Sequence, residues 1–340
     1  MPHPSIILGL ETSCDDTSAA VVLDGRTVLS NIVSSQDNLH LRFGGIVPEI
    51  ASRRHLEIIN PVIDEAMAQA RVKFTDLEGI AVSHGPGLVG SLLVGVSVAK
   101  ALAFSLDLPL AGVNHIEGHL YANFLTGEDI SFPLLGLVVS GGHTNILYME
   151  GHGRIRILGR TRDDAAGEVF DKIARALDLG FPGGPVIDKL AREGDPSSFA
   201  FPRALMGPEG GLDFSFSGVK TAVLNSIYRE RQRGREIDLH NISSAFQAAV
   251  IDVLVEKSFL AARQKNVKIF LLAGGVAANS ELRARLRQRV ETEETKVIFP
   301  PPELCTDNAA MVAAAGYYRL RRGNTASYDL NAVPSLSLEG

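Results

Sequence analysis

A pattern of strand, polar turn and strand occurs twice in the sequence, and it is the feature that most restricts the possible folds. Leu8-Gly9-Leu10 recurs as Leu135-Gly136-Leu137, and each tripeptide lies in an apolar run that predicts a buried strand. At the same offset the polar residues that follow also match, Ser13 with Ser140 and Thr17 with Thr144. A shared tripeptide alone arises by chance, whereas a shared pattern with a similar element order indicates an ancient duplication.

The order of predicted elements indicates an α/β fold with one helix-covered sheet in each half. Residues 1–127 give three strands and then alternating helices and strands, and we predict that they form a first lobe, completed by a C-terminal helix at about 303–325. Residues 128–302 form the predicted second lobe, which carries an insertion at about 180–240 rich in Gly, Pro, Ser and Arg. A long helix at about 240–265 follows that insertion.

The composition is that of a globular protein with a sizeable core. Of the 340 residues, 45% are hydrophobic and 21% are charged, which excludes global disorder. Cys14 and Cys305 provide neither a disulfide framework nor a four-thiolate zinc site. No uninterrupted apolar run reaches the roughly 18 residues of a membrane span, and the N-terminus does not resemble a signal peptide. We therefore expect a cytoplasmic protein with no membrane partner, and its net charge of −6 argues against a generally basic nucleic-acid surface.

Glycine-rich turns in the second half suggest a site for phosphate. Ser140-Gly141-Gly142 leaves backbone N–H groups accessible, since glycine has no Cβ to hold a ligand away. Gly274-Gly275 ends a predicted buried strand just before a helix at Asn279, where backbone donors and the helix dipole favour an anion. An ordinary hairpin is the alternative for either turn alone. Together the turns indicate a nucleotide clamp, and the wider pattern resembles the actin-like ATPase superfamily of sugar kinases and heat-shock chaperones.

His115 and His119 have the spacing of two metal ligands on one face of a helix. The zinc-peptidase motif places Glu directly after the first His, whereas Glu117 lies about 200° around the helix from His115 and is poorly placed as a general base. Two surface histidines are the alternative interpretation. A third ligand has to come from elsewhere. Asp307 is the candidate, with a helix N-cap as its alternative role, and Cys305 is either a ligand or a small buried side chain.

Polar residues elsewhere in the second half are further candidates. Asp171 lies two turns into a predicted helix, where capping does not explain it, so we expect it to contact ribose or another part of a substrate. The glycine-dense segment 181–188 either wraps a base or ribose or forms a simple turn. Two clusters of alternating arginines, at 229–235 and 283–289, are typical of solvated helix faces, with RNA contact as the alternative.

Six motifs occur in order along the chain, and together they resemble the tRNA N6-adenosine threonylcarbamoyltransferase family over nearly the full length. The bacterial or organellar branch of that family fits best, and its members were formerly described as glycoprotein endopeptidases. The motifs are GLETSCDDT at 9–17, HIEGH at 115–119, VVSGGH at 138–143, DDAAGE at 163–168, GGP at 183–185 and GGVAAN at 274–279.

The resemblance implies a two-lobed actin-like fold, in which duplicated ribonuclease-H-like domains have a ligand cleft between them. It implies transfer of the threonylcarbamoyl group from L-threonylcarbamoyl-AMP to N6 of adenosine 37 in tRNAs that read ANN codons, which forms t6A and releases AMP. The family's metal ligands fall on His115, His119 and Asp307. Iron is the metal usually assigned, and zinc is equally compatible with two imidazoles and a carboxylate.

The resemblance also implies substrate contacts and partners. Partners are tRNA, a paralogous actin-like subunit without the metal site, a small P-loop ATPase and a threonylcarbamoyl-AMP synthase that supplies the donor. The alternatives are a metallopeptidase and a nucleotide-binding regulator without catalysis. The substrate-binding positions of the family fall on Val138, Val139, Ser140, Gly141, Gly142, Asp171, Gly184, Asp188 and Asn279.

Overall fold

The structure is a computed structural model that describes residues 4–43 and 45–338, and the chain divides into two compact units. Unit 1 comprises Met1–Ile130, Gly151–Ile155 and Pro300–Gly340, and unit 2 comprises Ser131–Glu150 and Arg156–Phe299. Residues 151–155, which we predicted in the second lobe, belong to unit 1 because His152 packs there. The Tyr121 hydroxyl lies 3.0 Å from Nδ1 of His152, and the His152 ring stacks on Tyr318 with 3.8 Å between ring centres.

Unit 1 contains a five-stranded sheet in the order β3-β2-β1-β4-β5. Strand β1 runs antiparallel to β2 and parallel to β4. The helix that carries His115 and His119 is α-helical only as far as Tyr121 and continues as a 3-10 turn at Ala122–Thr126. In chain order the elements are β1 (Ile6–Glu11), β2 (Thr17–Leu23), β3 (Thr27–Ser34), α1 (Asp37–His40), α2 (Pro48–Ala70), β4 (Gly79–Gly85), α3 (Val89–Leu106), β5 (Leu110–Asn114) and α4 (His115–Tyr121).

Unit 2 repeats this arrangement, which confirms the duplication predicted from the sequence. Its sheet has the order β10-β9-β6-β7-β8, with β6 antiparallel to β7 and parallel to β9, as β1 is to β2 and β4. The elements are β6 (Leu134–Val139), β7 (Thr144–Gly151), β8 (Arg154–Arg160), α5 (Ala166–Ala176), α6 (Gly183–Ala191), α7 (Ser217–Gln232), α8 (Leu239–Lys265), β9 (Ile269–Ala273), α9 (Ser280–Val290) and β10 (Lys296–Ile298).

The insertion predicted at about 180–240 contains two helices, α6 and α7, that the composition of the segment concealed. On α7 the apolar residues Val219, Val223 and Ile227 recur every four positions and are buried. This spacing gives one apolar face to a helix that is otherwise rich in arginine and serine.

Helix α10 (Ala309–Arg321) returns to unit 1 and packs closely on its sheet. The Asn308 side chain caps the helix by accepting a hydrogen bond from the Met311 N–H at 3.0 Å. A Cβ on Gly9 of β1 would lie 2.7 Å from the backbone nitrogen of Ala313, so only glycine allows the helix to approach the strand this closely.

Among the described residues, α3 is the one helix that is long and apolar enough to cross a membrane by length and composition. The sequence expectation differs because Lys100 and three serines interrupt the apolar run, whereas the averaged hydropathy tolerates them. Val96 and Ala99 of α3 are buried in a core that also contains Leu10 of β1. Packing within unit 1 therefore accounts for the apolar residues on the buried face of this helix, whereas Val89, Leu93 and Phe104 are exposed.

We expect Gly9→Ala to destabilise the protein by about 1–3 kcal/mol, because the added methyl group forces α10 away from β1. The apparent melting temperature measures the effect. Gly218→Ala on α7 is the control, since a Cβ there meets nothing within 4 Å and alanine favours a helix over glycine. Equal melting temperatures for both variants would contradict the close packing of α10.

Candidate active site

The two candidate histidine ligands lie on α4, which begins directly at the end of β5. The Asn114 side chain caps this helix by accepting hydrogen bonds from the N–H groups of Ile116 at 2.9 Å and Glu117 at 3.3 Å. Its amide group donates to the Ser337 carbonyl oxygen at 3.2 Å, so the C-terminal segment also holds the cap. All seven residues of α4 are buried, which fixes the direction of both imidazoles.

His115, His119 and Asp307 form a cluster whose potential ligand atoms lie within 4.8 Å of one another. Oδ1 of Asp307 is 3.5 Å from Nε2 of His115 and 3.3 Å from Nε2 of His119. The His119 side chain is 1% exposed, and neither of its ring nitrogens forms a hydrogen bond to any described residue. Buried imidazole nitrogens without such a partner are rare, and a divalent ion bound by two imidazoles and a carboxylate would satisfy Nε2. The cluster therefore fits a metal ion.

The structure decides between the two roles that the sequence left open for Asp307 and for Cys305. Capping of α10 is performed by Asn308, so the Asp307 carboxylate is not the N-cap. Cys305 is fully buried, with its Sγ 3.5 Å from the Pro301 carbonyl oxygen, and it lies outside the metal cluster. Cys305 is therefore a small buried side chain.

The charges around His115 favour a cation at this site. Burial by itself would lower the pKa of His115, but the carboxylates of Asp307 and Glu11 outweigh it and raise that pKa to about 9. Burial also raises the pKa of Asp15 and raises the pKa of Asp16 to about 7. The charge of Asp307 raises both pKa values further. Negative charge is thus crowded around Asp307, and a bound cation would relieve the repulsion.

Glu117 lies away from the cluster, as the helical spacing predicts. Its Oε2 accepts hydrogen bonds from Nη2 of Arg319 at 2.7 Å and from Nε at 3.1 Å. This ion pair, in which Glu117 is buried and Arg319 is partly exposed, joins α4 to α10. The carboxylate therefore has a structural partner and does not lie beside the candidate metal ligands.

In unit 2, the predicted phosphate-binding residues lie in the tight turn between β6 and β7. Val138 and Val139 are buried at the end of β6. The Ser140 N–H donates to the His143 carbonyl oxygen at 2.8 Å, which closes the turn. A Cβ on Gly141 or on Gly142 would meet nothing within 4 Å. Neither packing nor a positive φ requires glycine at these two positions, and the open space leaves room for a ligand to approach the backbone.

Asp171 has an internal partner that the sequence did not reveal. Its Oδ1 accepts a hydrogen bond from the Gly183 N–H at 2.8 Å, so the side chain caps the start of α6. We expected that helix capping would not explain Asp171, and this is wrong. Asp171 lies within α5 and caps the next helix, α6. Burial raises the pKa of Asp171, and the Gly183 N–H opposes that rise. A Cβ on Gly184 would meet nothing within 4 Å.

Asp188 and Asn279 are brought together by the packing of α6 against the start of α9. Oδ1 of Asp188 accepts a hydrogen bond from the Ser280 hydroxyl at 2.9 Å. Asn279 caps α9 by accepting from the Leu282 N–H at 2.9 Å, and it donates to the Gln247 side chain of α8 at 2.8 Å. Both predicted substrate-binding residues are therefore also structural.

Sequence reasoning missed Glu11 and Ser13, which contact Nδ1 of His115, and Ser83, whose hydroxyl donates a hydrogen bond to Oε2 of Glu11. Oε2 of Glu11 is 3.0 Å and Oγ of Ser13 is 3.1 Å from this nitrogen. The available signal was the match of Ser13 with Ser140 in the repeat, which marks the turn after β1 as the counterpart of the predicted phosphate-binding turn. A carboxylate at the end of a central strand was a second signal.

Solved structures define the class of protein to which this fold belongs. HypF from T. kodakarensis aligns with a TM-score of 0.63 at 16% identity, covering 96% of this chain and 49% of that one. Component A of the (R)-2-hydroxyglutaryl-CoA dehydratase of Acidaminococcus fermentans aligns with a TM-score of 0.53 at 13% identity, covering 93% and 99%. Such identities bear on the fold alone, and they place the chain among proteins with the actin-like ATPase fold, as predicted.

Sequence comparison then identifies the family. The profile described as TsaD: tRNA N6-adenosine threonylcarbamoyltransferase matches residues 27–314. Curated relatives of that name are 57% identical over 338 residues in Symbiobacterium thermophilum and 54% over 332 in Desulfitobacterium hafniense, each covering 98% of this chain and 97% of the relative. The chain belongs to the tRNA N6-adenosine threonylcarbamoyltransferase family. It is an acyltransferase, and the metallopeptidase and the non-catalytic alternatives are wrong.

We expect His119→Ala to weaken metal binding by about 100-fold or more. Loss of a hydrogen-bond partner of a metal ligand already weakens binding by about 10–100-fold, and loss of the ligand itself should weaken it more. Metal content after equilibration with Zn²⁺ or anaerobic Fe²⁺ and gel filtration provides the measurement. His84→Ala, which removes a histidine of β4 outside the cluster, is the control and should retain the metal. Equal metal content in both variants would contradict this assignment.

Proposed function

We propose that this protein transfers the threonylcarbamoyl group from L-threonylcarbamoyl-AMP to N6 of adenosine 37 in tRNAs that read ANN codons, which forms t6A and releases AMP. The observation that carries the proposal is the identity of 54–57% to relatives of this name over 97% of their length. The geometry of the metal cluster in unit 1 and of the open glycine turn in unit 2 supports it.

His115, His119 and Asp307 would hold one divalent ion, with Fe²⁺ as the principal candidate and Zn²⁺ as the alternative. A bound ion supplies Lewis-acid polarisation and a template for the substrate. The donor is a mixed carbamic–phosphoric anhydride, so it is already activated and AMP is a good leaving group. No covalent nucleophile from the protein is required.

The adenylate part of the donor is assigned to unit 2, at Val138, Val139 and the turn that follows them. The Ser140 N–H already donates to His143, so the Gly141 and Gly142 N–H groups are the donors we assign to the phosphate. Their open surroundings allow close approach of a phosphate to the backbone. Such donors stabilise the charge that develops on the departing AMP. Further substrate contacts are assigned to Asp171, Gly184, Asp188 and Asn279.

The arginine clusters support a requirement for partners in tRNA binding. Arg231 pairs with Asp178, Arg285 with Glu281 and Arg289 with Glu256. Paired arginines on a chain of net charge −6 provide a weak field for a polyanion. We therefore propose that a paralogous actin-like subunit and a small P-loop ATPase are partners of this chain. We also propose a threonylcarbamoyl-AMP synthase as the source of the donor, and a cytoplasmic location.

We expect Gly141→Val to weaken AMP binding by at least about tenfold, because the side chain fills the space that the phosphate needs. Isothermal titration calorimetry measures the affinity. Gly207→Val is the control, since a Cβ at Gly207 also meets nothing within 4 Å and Gly207 lies outside the proposed site. Unchanged AMP affinity in Gly141→Val would refute this placement of the phosphate.

The proposed function is tested by incubating the protein with its partners, tRNA and L-threonylcarbamoyl-AMP and measuring t6A in digested tRNA by mass spectrometry. We expect t6A with the parent and none with His119→Ala. Glu117→Gln should stay within about tenfold of the parent, because loss of a general base would cost about 10²–10⁴-fold. Absence of t6A in the complete system would refute the proposal, and a large loss in Glu117→Gln at unchanged metal content would refute the role given to Glu117.

A further inference from the structure

A fully buried carboxylate lies on the side of His115 that faces away from Asp307 and His119. Glu11 ends the central strand β1 and is 0% exposed. A buried carboxylate is costly unless hydrogen bonds satisfy its oxygens. Oε1 of Glu11 accepts from the Ser13 N–H at 2.6 Å, and Oε2 accepts from the Ser83 hydroxyl and from Nδ1 of His115 at 3.0 Å. Both oxygens therefore have partners, and one of these partners is a candidate metal ligand.

The strand register holds Glu11 in this position. Leu10 of β1 pairs with Val82 of β4 in a parallel ladder, which puts Glu11 beside Ser83 on adjacent strands. The Ser83 hydroxyl and the Ser13 N–H leave the carboxylate little freedom to rotate. A carboxylate on a central strand is a more rigid support than one on a loop.

The contact has a definite consequence for the tautomer of His115. An ionised carboxylate only accepts hydrogen bonds, so Nδ1 of His115 carries a hydrogen that it donates to Glu11. A metal would then take the place of the proton on Nε2, the nitrogen 3.5 Å from Asp307, while Nδ1 keeps its hydrogen bond to Glu11. His119 differs, because Nδ1 of His119 has no hydrogen-bond partner among the described residues.

We propose that Glu11 is a positioning residue of the metal centre, whose carboxylate holds His115 with Nδ1 protonated and Nε2 directed at the metal, and that Ser83 orients this carboxylate. The inference rests on the metal-binding part of the proposed function. Glu11 acts through His115 and is not itself assigned a contact with metal or substrate.

The test compares Glu11→Gln with Glu117→Gln in the full-length protein. Both changes neutralise a buried, hydrogen-bonded glutamate of unit 1, but Glu117 contacts Arg319 instead of a metal ligand. Zn²⁺ affinity is measured by competition with a chromophoric chelator, and circular dichroism and the melting temperature verify folding. We expect Glu11→Gln to bind Zn²⁺ about 10–100-fold more weakly than the parent. The Zn²⁺ affinity of Glu117→Gln should stay within about threefold of that of the parent, because the Glu117 carboxylate forms no hydrogen bond to a candidate metal ligand.

A second measurement reports on the tautomer directly. In the Zn²⁺-loaded parent labelled with ¹⁵N-histidine, the His115 Nδ1–H should be visible and protected from exchange, and Glu11→Gln should lose that protection. Ser83→Ala, a milder change that leaves the carboxylate in place, should weaken Zn²⁺ binding in the same direction by a smaller factor. This variant keeps the inference testable should Glu11→Gln fail to fold.

The outcomes separate this inference from the proposed function. Parent-like Zn²⁺ affinity and an unchanged Nδ1–H signal in Glu11→Gln would overturn the role of Glu11, even in a protein that forms t6A. Weaker Zn²⁺ binding in Glu11→Gln and Ser83→Ala, with the control unchanged, would support it even if no t6A were formed. A parent without measurable Zn²⁺ or Fe²⁺ affinity would overturn both.

Discussion

The seating of α10 on the sheet of unit 1 is the constraint on which the metal cluster depends. Gly9 lets the helix approach β1 to backbone contact, and the Ala309 N–H donates to the Ser18 hydroxyl of β2 at 2.8 Å. Asp307 lies just before this anchored start. Close-packed interiors transmit small displacements, so the distance from Asp307 to the histidines is set by packing along the whole helix.

The cluster also carries an electrostatic cost that the fold alone does not remove. Glu11 and the two histidines are buried, and the acidic residues of the turn after β1 have raised pKa values because of burial and the charge of Asp307. A bound cation would offset this repulsion and would complete the bonding of a buried imidazole. Because an ion that binds the folded state stabilises it by mass action, metal binding and the stability of unit 1 are linked.

The duplication explains why one fold provides two different sites. The turn after β1 and the turn after β6 begin with Ser13 and Ser140 at equivalent positions. In unit 1 the next residues are Cys14, Asp15 and Asp16, and the carboxyl groups of the two aspartates favour a cation. In unit 2 they are Gly141, Gly142 and His143, and the two glycines leave the backbone N–H groups open to an anion. The same strand–turn–strand frame therefore presents negative charge in one copy and backbone donors in the other.

The sequence by itself determined the presence of one helix-covered sheet in each half, the repeat of strand, turn and strand, the spacing of His115 and His119 and the glycine turns. These are local patterns, in which periodicity and turn chemistry act over a few residues. It did not determine α6 and α7, whose apolar faces are hidden in a polar segment, or the capping roles of Asp171 and Asn308. Only the tertiary structure decided that Glu11 meets His115 and that Asp307 meets His119, because these pairs are separated by about a hundred residues or more and meet only where helices pack on a common sheet.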